Sequence, residues 1–447
     1  MLTPVIVVGA GFAGLSAAVR LCLAGKRVLV LEARPRLGGR ASAFEDKATG
    51  AQVDNGQHVL FGCYRETLAL LRTVGAADKV RAQRALDVPF IDASGRKTRL
   101  RCPALPAPLH LLGGLLAWEA LDWRDRWAAL RVWRAIRRGG GLSPIVLGDG
   151  QLVTGPVLSV RDWLVALGQT TRLRELLWEP LAVAALNEPP AEASAAAFAE
   201  VLALMFRGGP RNSAIVMPAA PLDQMYAEPA RAFIERHGGR VRTNALAKIT
   251  ATAAGVTAVR TGADTLSCPR VISSVPWNAM GNLFDELPAP LRGIADAAAR
   301  VTSRPIVTAN IWFDRRVLDE PFVGLPGCTI QWVFDKGTDR SHLSCIVSGA
   351  VDLVDRPADD ILALALADIR GRLPGARAAH VTRATVVRER HATFSTAQPD
   401  VPRPSCVTPV PGFFLAGDWI ATGLPGTIEG AVRSGRLAAD ALLAAEL

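Results

Sequence analysis

The pattern of apolar and polar positions predicts a buried strand followed by a helix at each end of the chain. Residues 4–8 form a continuous apolar run, as expected for a strand covered on both faces, and an Ala/Leu-rich helical pattern follows over 15–21. A second apolar run covers 27–31. Near the other end, 413–416 is again short and apolar, and a helical pattern continues to Leu443. Strands that alternate with helices favour an α/β fold with a parallel sheet.

Glycines occupy the turn between the first strand and the first helix. Gly9 permits a tight turn, Gly11 lets the backbone approach a pyrophosphate, and Gly14 allows close packing of helix on strand. The helix N-terminus adds partial positive charge. The second strand ends at Glu32, whose carboxylate is placed to hydrogen-bond the ribose hydroxyls of an adenosine. The predicted dinucleotide contacts in this segment are Gly9, Gly11, Phe12, Ala13, Gly14, Glu32, Ala33 and Arg34.

The middle of the chain predicts further elements of both kinds. A helical pattern over 222–237 ends at a glycine pair, and a strand is expected from Arg240. The region 86–207 is rich in helical patterns, whereas the alternation in 306–312 and 329–334 predicts a sheet.

Four of the ten tryptophans fall within 104–141, in a segment with a basic helical face. Asp122 is a candidate N-cap, with Asp125 in the first turn. The apolar stripe of this helix comprises Ala129, Val132, Trp133 and Ile136, and the opposite face carries Arg124, Arg131, Arg134 and Arg138. Trp123, Trp127 and Leu130 fall off the stripe. An interfacial membrane anchor and an ordinary packed helix with a solvated arginine face are both compatible with this pattern.

Composition narrows the class of protein. A length of 447 residues suits two or three folding units, and no apolar run reaches the roughly 20 residues of a spanning helix. The first apolar stretch carries spaced glycines and has no basic lead-in, so we interpret it as a strand and not as a signal peptide. Seven cysteines without a CxxC pair indicate reduced thiols and no metal site. We expect a cytosolic protein.

The net charge of +10 bears on possible partners. No Lys/Arg run interleaves with aromatic residues in a nucleic-acid-binding pattern, so we expect no nucleic-acid partner. An anionic membrane surface suits a basic and apolar protein better, which predicts peripheral association with the inner face of the cell membrane. A role in solubility alone is the competing interpretation.

Two further glycine motifs resemble those of the FAD family that contains amine oxidases, phytoene desaturases and protoporphyrinogen oxidases. The first is 34–40, which ends in Gly38-Gly39-Arg40, and the second runs from Gly417-Asp418 to a glycine-started helix at 426–431. The resemblance implies that FAD is bound non-covalently by an α/β, Rossmann-like domain of the amine-oxidase type. That domain comprises 1–85, 208–280 and 404–447, and a discontinuous α+β substrate domain comprises 86–207 and 281–403.

The resemblance also implies further cofactor contacts. Arg40 is expected beside the pyrophosphate, Asp418 beside the ribityl–pyrophosphate region, the helix-start amides at Thr427 and Ile428 at the flavin pyrimidine, and a backbone amide near Leu246 at the adenine. A helix N-terminus at the pyrimidine stabilises negative charge on reduced flavin. The contacts predicted in addition to the N-terminal ones are Gly38, Gly39, Arg40, Gly56, Gln57, His58, Leu246, Gly417, Asp418, Gly426, Thr427 and Ile428.

Within that family, three stretches resemble the squalene-associated FAD-dependent desaturases, also called hydroxysqualene dehydroxylases. They are 53–64, 178–190 and 424–435, so the resemblance spans nearly the whole chain. It implies a bacterial enzyme of hopanoid biosynthesis that replaces the allylic hydroxyl of hydroxysqualene with a hydride from reduced flavin. Within enzymes, a carotenoid-type desaturase or a flavin amine oxidase is the alternative. Outside enzymes, the alternative is a prenyl-lipid-binding escort protein.

Loss of a hydroxyl group requires a proton donor near the flavin. His58 and Asp54 are the candidates, because their segment is expected to pass over the flavin, and His391 is a weaker one. A backbone-bonded core histidine is the competing interpretation of His58. The sequence holds no second nucleotide fingerprint, and the electron donor for FAD is unknown.

Overall fold

The computed structural model describes residues 3–47, 50, 52–137, 145–146, 152–153, 158–337, 341–398 and 400–445. Its α-helices are α1 (Phe12–Leu23), α2 (Arg65–Thr73), α3 (Leu109–Ala117), α4 (Trp123–Arg137), α5 (Val160–Ala166), α6 (Thr171–Leu173), α7 (Glu179–Leu186), α8 (Ala195–Phe206), α9 (Glu228–Arg236), α10 (Arg292–Arg300), α11 (Ala358–Arg372), α12 (Pro374–Arg377) and α13 (Ile428–Ala444).

The strands of the described residues are β1 (Val5–Val8), β2 (Val28–Leu31), β3 (Ala43–Glu45), β4 (Gln52–Asp54), β5 (Leu60–Phe61), β6 (Val80–Ala82), β7 (Asp87–Ile91), β8 (Lys97–Arg101), β9 (Ile145–Val146), β10 (Leu152–Val153), β11 (Ile215–Pro218), β12 (Arg240–Arg242), β13 (Ala247–Thr252), β14 (Gly255–Thr261), β15 (Asp264–Ser267), β16 (Val271–Ser273), β17 (Ser303–Phe313), β18 (Phe322–Gly324), β19 (Trp332–Asp335), β20 (His342–Ser348), β21 (Val381–Phe394) and β22 (Phe413–Leu415).

A five-stranded parallel sheet joins the two ends of the chain. Its order is β12-β2-β1-β16-β22, and every neighbouring pair is parallel. Both faces are covered, which explains the continuous apolar runs: Val5 and Val7 pack with the helices α1, α9 and α13, whereas Ile6 and Val8 pack with the antiparallel sheet β13-β14-β15. The predicted α/β fold is confirmed.

The first and last helices of this unit are in direct contact. A side chain at Gly435 of α13 would place its Cβ 2.1 Å from the carbonyl oxygen of Ala13 in α1. Ser16 donates its hydroxyl to the Val432 carbonyl at 2.9 Å. Residues more than 400 positions apart therefore form one packed layer over the sheet.

A seven-stranded mixed sheet forms the second large layer, in the order β21-β17-β20-β19-β18-β7-β8. In β17, Val307, Ala309 and Ile311 pack into one core with α11, while Thr308 and Asn310 face the opposite way. The strands predicted within 306–312 and 329–334 are confirmed as β17 and β19. The strands β7 and β8, from the region that the sequence predicted only as helix-rich, complete this sheet. The predicted domain boundaries themselves stay a prediction.

The tryptophan-rich segment forms two helices, α3 and α4. Asp122 Oδ1 accepts the backbone N–H groups of Arg124 at 2.8 Å and Asp125 at 3.0 Å, which confirms the predicted N-cap. The apolar stripe packs into the protein, since Ala129 and Val132 are buried, while tryptophans off the stripe lie in solvent. Residues 138–141 of the predicted docking region lie outside the described residues. Among the residues described here, no helix is both long and apolar enough to cross a bilayer.

Candidate flavin site and apolar cavity

The first glycine turn has the geometry that the sequence predicts. Gly9 has a φ of +100°, which disfavours any residue with a side chain. A Cβ at Gly14 would lie 2.0 Å from the Gly9 carbonyl oxygen. Gly14 is therefore required for the contact between α1 and β1.

Gly11 differs, because space is open in front of it. A Cβ there would meet nothing closer than the Gly38 carbonyl oxygen at 3.8 Å and the Gly39 Cα at 4.0 Å. Helix α1 begins after Gly11 without a side-chain cap and has no acidic residue in its first turn. Its first amides, at Phe12, Ala13 and Gly14, are thus available to an anion between the two glycine motifs.

Glu32 lies at the carboxyl end of β2 and is buried. Its carboxylate accepts the backbone N–H of Ala10 at 2.8 Å and that of Arg34 at 3.0 Å, so it is held in place beside the glycine turn. Ala33 and Arg34 are exposed, and so is Leu246 in the adjoining segment. We call the surface that runs from these positions past Gly11 to Asp418 the cofactor groove. The adenosine contacts are predicted at its outer end, which these exposed positions form.

Tyr226 contacts both glycine motifs and holds the second one beside the first. This role was not predicted from the sequence. Its ring stacks on Phe12 with the centroids 3.5 Å apart. Its hydroxyl lies 2.8 Å from the Gly38 carbonyl oxygen and 3.0 Å from that of Ala41. Burial raises the pKa of Tyr226, which keeps the phenol protonated as a donor. A lone tyrosine in an amphipathic helix carries no sequence signal for this role.

The two distant halves of the predicted flavin site meet at Arg40 and Asp418. The two side chains form an ion pair, and Arg40 also donates to the Ala392 carbonyl at 2.9 Å. The loop after Asp418 is held by Arg403, which donates to the carbonyls of Asp418 and Leu424, each at 2.6 Å. Burial lowers the pKa of Arg403 to about 10. No sequence motif marked Arg403.

The last predicted flavin segment lies beside the same ion pair. Thr427 caps α13 by accepting the N–H of Gly430 at 3.0 Å, and Ile428 begins the helix. A Cβ at Gly426 would lie 3.3 Å from the Phe394 ring and 3.4 Å from Asp418 Oδ2. Gly417 donates its N–H to the hydroxyl of Ser434, which lies in α13, at 2.7 Å. The fold therefore brings 417–418 and 426–428 to one end of the groove.

This groove suits FAD chemically. Free helix amides face an open glycine cradle, a fixed carboxylate stands at one end, and an arginine–aspartate pair with a second helix N-terminus stands at the other. The α1 amides and the Arg40 guanidinium can donate to a pyrophosphate, the Glu32 carboxylate can accept from ribose hydroxyls, and the amides at the start of α13 can donate to a flavin pyrimidine carbonyl. The individual contacts stay predictions.

An apolar cavity lies between the seven-stranded sheet and the helices around α7. The residues that line it come from distant parts of the chain: Gln57, Val59, Phe61, Tyr64, Leu86, Val88, Phe90, Leu100, Leu177, Pro180, Leu181, Ala184, Ala185, Met205, Ile215, Phe322, Trp332, Phe334, Ile346 and Ser348. Aliphatic and aromatic side chains predominate, which suits a hydrocarbon ligand.

A polar cluster adjoins this cavity through Gln57. Lys336 Nζ donates to Asp54 Oδ2 at 2.8 Å and to Gln57 Oε1 at 3.0 Å, and Asp54 Oδ1 accepts the Leu222 N–H at 3.0 Å. Both oxygens of Asp54 thus act as acceptors. Sequence reasoning missed Lys336, because a single lysine at the end of a strand has no motif.

His58 lies in the same cluster. Its Nδ1 is 3.0 Å from the Gly56 carbonyl oxygen, and since a carbonyl can only accept, Nδ1 carries the proton. Burial lowers the pKa of His58, although the negative charge of Asp54 opposes this effect. The ring is therefore neutral, with Nε2 as an acceptor, which is a poor form for a proton donor. His391 is exposed, and its Nδ1 lies 2.8 Å from Ser303 Oγ.

The chain belongs to the family of flavin-containing amine oxidoreductases, whose model matches residues 12–443. It is therefore a flavin-dependent oxidoreductase, and its cofactor is FAD. It is 31% identical to a hydroxysqualene dehydroxylase of Sinorhizobium fredii, over 98% of this chain and 97% of that protein. It is 30% identical to a hydroxysqualene dehydroxylase of Rhodopseudomonas palustris, over 98% of both.

A solved structure supports the fold. The chain superposes on a putrescine oxidase with a TM-score of 0.72 and 19% identity, covering 99% of each chain. Across the described residues, no cluster of His, Cys, Asp and Glu side chains could hold a metal ion.

Proposed function

We propose that the enzyme reduces hydroxysqualene to squalene, with loss of the allylic hydroxyl group. The observation that carries the proposal is the similarity, at 30–31% identity and nearly full length, to relatives that bear the name of this activity. The apolar cavity next to a small polar cluster supports it, because hydroxysqualene is a long hydrocarbon with one polar group.

The reaction divides between cofactor and protein. Bound FAD, once reduced, supplies the hydride that replaces the hydroxyl. The amides at the start of α13 would stabilise negative charge on the flavin pyrimidine, and the Arg40 guanidinium would hold the pyrophosphate. The aliphatic wall of the cavity excludes water from the allylic carbon, so that water does not compete for it.

Departure of the hydroxyl as water needs a proton at its oxygen. Of the predicted donors, Asp54 accepts hydrogen bonds at both oxygens, and the proton on His58 Nδ1 is directed at the Gly56 carbonyl. The Lys336 ammonium group also carries protons in this cluster and donates to Asp54 and Gln57. We therefore include Lys336 with His58 and Asp54 as the candidate source of the proton.

The tyrosines of the chain give little support to amine oxidation. An aromatic cage for an amine needs electron-rich rings around the flavin. Of the two tyrosines, Tyr226 is fully buried against Phe12 and only Tyr64 lines the cavity.

A single-turnover assay tests the proposed reaction. The FAD-bound enzyme is reduced chemically without oxygen and mixed with hydroxysqualene, while the oxidised enzyme is mixed with phytoene or putrescine, whose reactions need an electron acceptor. The flavin spectrum and the products are followed in each mixture. We expect reoxidation and squalene with hydroxysqualene alone. Desaturated products from phytoene with oxidised enzyme, and no squalene, would favour the carotenoid-type activity instead.

We also propose that α3 and the start of α4 dock on an anionic bilayer. Large apolar side chains there are well exposed: Leu105 (44%), Leu109 (54%), Leu116 (61%), Trp123 (65%) and Trp127 (63%). Arg124 lies over the Trp123 ring at 5.4 Å, which places a cation beside the apolar patch. Tryptophan and arginine at the edge of an apolar patch suit the headgroup region.

Vesicle sedimentation tests the docking surface. We expect the double variant Trp123→Ser/Trp127→Ser to lose most binding to vesicles that contain phosphatidylglycerol. Val351→Ser, which removes an apolar side chain of 48% exposure elsewhere, serves as the control and should bind normally. Unchanged sedimentation of the double variant would refute this surface.

A further inference from the structure

The carboxamide of Gln57 has a fixed orientation. Its Oε1 lies 3.0 Å from Lys336 Nζ, and an ammonium group can only donate, so the oxygen faces the lysine and the NH₂ group faces away. Gln57 lines the apolar cavity, and its NH₂ group has no partner among the residues described in the structure. A hydrogen-bond donor is thus presented at the cavity wall.

A chain of contacts holds this orientation. The Leu222 N–H donates to Asp54, Asp54 accepts from Lys336, and Lys336 donates to Gln57. Each donor and acceptor in the chain is fixed by its chemistry, because a carboxylate only accepts and an ammonium only donates. The side-chain exposures of Asp54 and Lys336 are only 6% and 20%, so water competes little with the pair.

The remainder of the cavity offers few polar groups. Besides Gln57, polar side-chain atoms come only from Tyr64, Trp332 and Ser348 among its lining residues. A ligand without oxygen would leave the Gln57 donor unpaired in an apolar space, which is unfavourable. A ligand with one hydroxyl oxygen would satisfy it.

We propose that Gln57, oriented by Lys336 and Asp54, determines specificity by donating a hydrogen bond to the hydroxyl oxygen of the substrate. The cavity thereby selects a long isoprenoid alcohol over the corresponding hydrocarbon, and the product, which has lost its oxygen, binds more weakly. This inference rests on the proposed function, since it concerns the hydroxyl group that the reaction removes.

Binding to the oxidised, FAD-bound enzyme tests the inference without turnover. Hydroxysqualene and squalene are each titrated while the flavin spectrum is followed. We expect the wild type to bind the alcohol about tenfold more tightly, as one net hydrogen bond allows. Gln57→Leu should weaken binding of the alcohol about tenfold, and it should bind squalene at least as tightly as the wild type does, because no donor is left unpaired. Lys336→Met should act in the same direction, because the carboxamide loses its orientation.

Controls separate this role from others. Gln52→Leu removes an exposed glutamine from the neighbouring strand β4 and should leave the ratio of the two affinities unchanged. The FAD dissociation constant of each variant is measured in parallel, since a role of Gln57 in cofactor binding would change that constant. Loss of selectivity in Gln57→Leu with normal FAD affinity supports the inference.

Other outcomes overturn it. They are a wild type without preference for the alcohol, a Gln57→Leu variant that keeps the preference, and loss of the preference in Trp332→Phe or Ser348→Ala but not in Gln57→Leu. The proposed reaction fails separately if reduced wild-type enzyme yields no squalene. In that case a Gln57-dependent preference would still show that the cavity recognises an alcohol.

Discussion

The cofactor groove and the apolar cavity are built on different principles. The groove is defined by backbone, because glycines at short spacings keep helices, strands and turns close together. The cavity is defined by side chains that come from residues as far apart as Gln57 and Ser348. In the groove, substitutions that add side-chain atoms should therefore lower the stability of the protein or its affinity for FAD. Around the cavity, substitutions that remove side chains should lower the stability.

The largest expected effect is the removal of a buried side chain on the cavity side. Glu188 is fully buried and accepts from Arg304 at 2.8 Å and from the Thr396 N–H at 2.8 Å. Glu188→Ala removes the buried partner of Arg304 and leaves the Thr396 N–H without its acceptor, so we expect a loss of about 4 kcal/mol in unfolding free energy. Urea denaturation measures it.

Glu192→Gln is the matched control, because Glu192 contacts the same arginine from a half-exposed position. We expect that variant to lose less than about 1 kcal/mol. Equal losses of stability in the two variants would mean that burial does not distinguish these two carboxylates. The expectation that the region built from side chains is sensitive to their loss would then be contradicted.

The second prediction separates two glycines of the groove. Gly14→Ala forces α1 away from β1, since its Cβ would overlap the Gly9 carbonyl, and it should cost about 3 kcal/mol of stability in the FAD-free protein. Gly11→Ala has room for its methyl group and should fold normally. The methyl group would occupy the space facing Gly39, so FAD affinity should fall by at least about tenfold.

Thermal unfolding of the FAD-free variants and flavin titration measure these two effects. If Gly11→Ala bound FAD as tightly as the wild type, the pyrophosphate would not approach the backbone at Gly11. The predicted position of the pyrophosphate in the groove would then be wrong.

The third prediction concerns a side chain that supports the backbone-defined groove. Tyr226→Phe keeps the stacking on Phe12 and removes the hydroxyl that contacts the Gly38 and Ala41 carbonyls. We expect a stability loss of about 1 kcal/mol and a several-fold weaker affinity for FAD. A variant with normal FAD affinity would show that the second glycine motif keeps its position without Tyr226.

The smallest effect is a pH dependence at the edge of the cavity. The folded-state pKa of His58 lies below its usual 6.5, chiefly because of burial. Below about pH 6.5 the unfolded chain takes up a proton that the folded protein does not, so stability should fall as the pH falls. His58→Gln should make the stability less dependent on pH between 5 and 7. An unchanged slope in urea denaturation would contradict this assignment.

The sequence predicts some parts of the molecule well for a definite physical reason. The motif around Gly9, Gly11 and Gly14 works through contacts within about twenty residues, and spacing alone specifies such contacts. The apolar runs of β1 and β22 identify strands with both faces covered. These local features were enough to predict the α/β fold and a dinucleotide site, and the resemblance of 34–40 and 417–431 to a known FAD family implied that the dinucleotide is FAD.

The tertiary structure decides whatever depends on distant partners. The 178–190 stretch carries part of the family resemblance in the sequence. Only the fold shows that Glu188 accepts from both Arg304 and Thr396, just beyond the end of β21. Lys336 carries no signal until β19 places it against Asp54 and Gln57. Likewise, the helical pattern of α4 leaves open whether its apolar stripe or its off-stripe tryptophans face solvent, and packing with neighbouring helices buries the stripe.

The sequence by itself thus predicted the first glycine turn and the strands and helices around the cofactor site, because glycine spacing and apolar runs act over one or two elements. The folded structure decided how the cavity is lined and which polar groups meet beside it. Long-range packing brings those side chains together, and their identities follow no local periodicity.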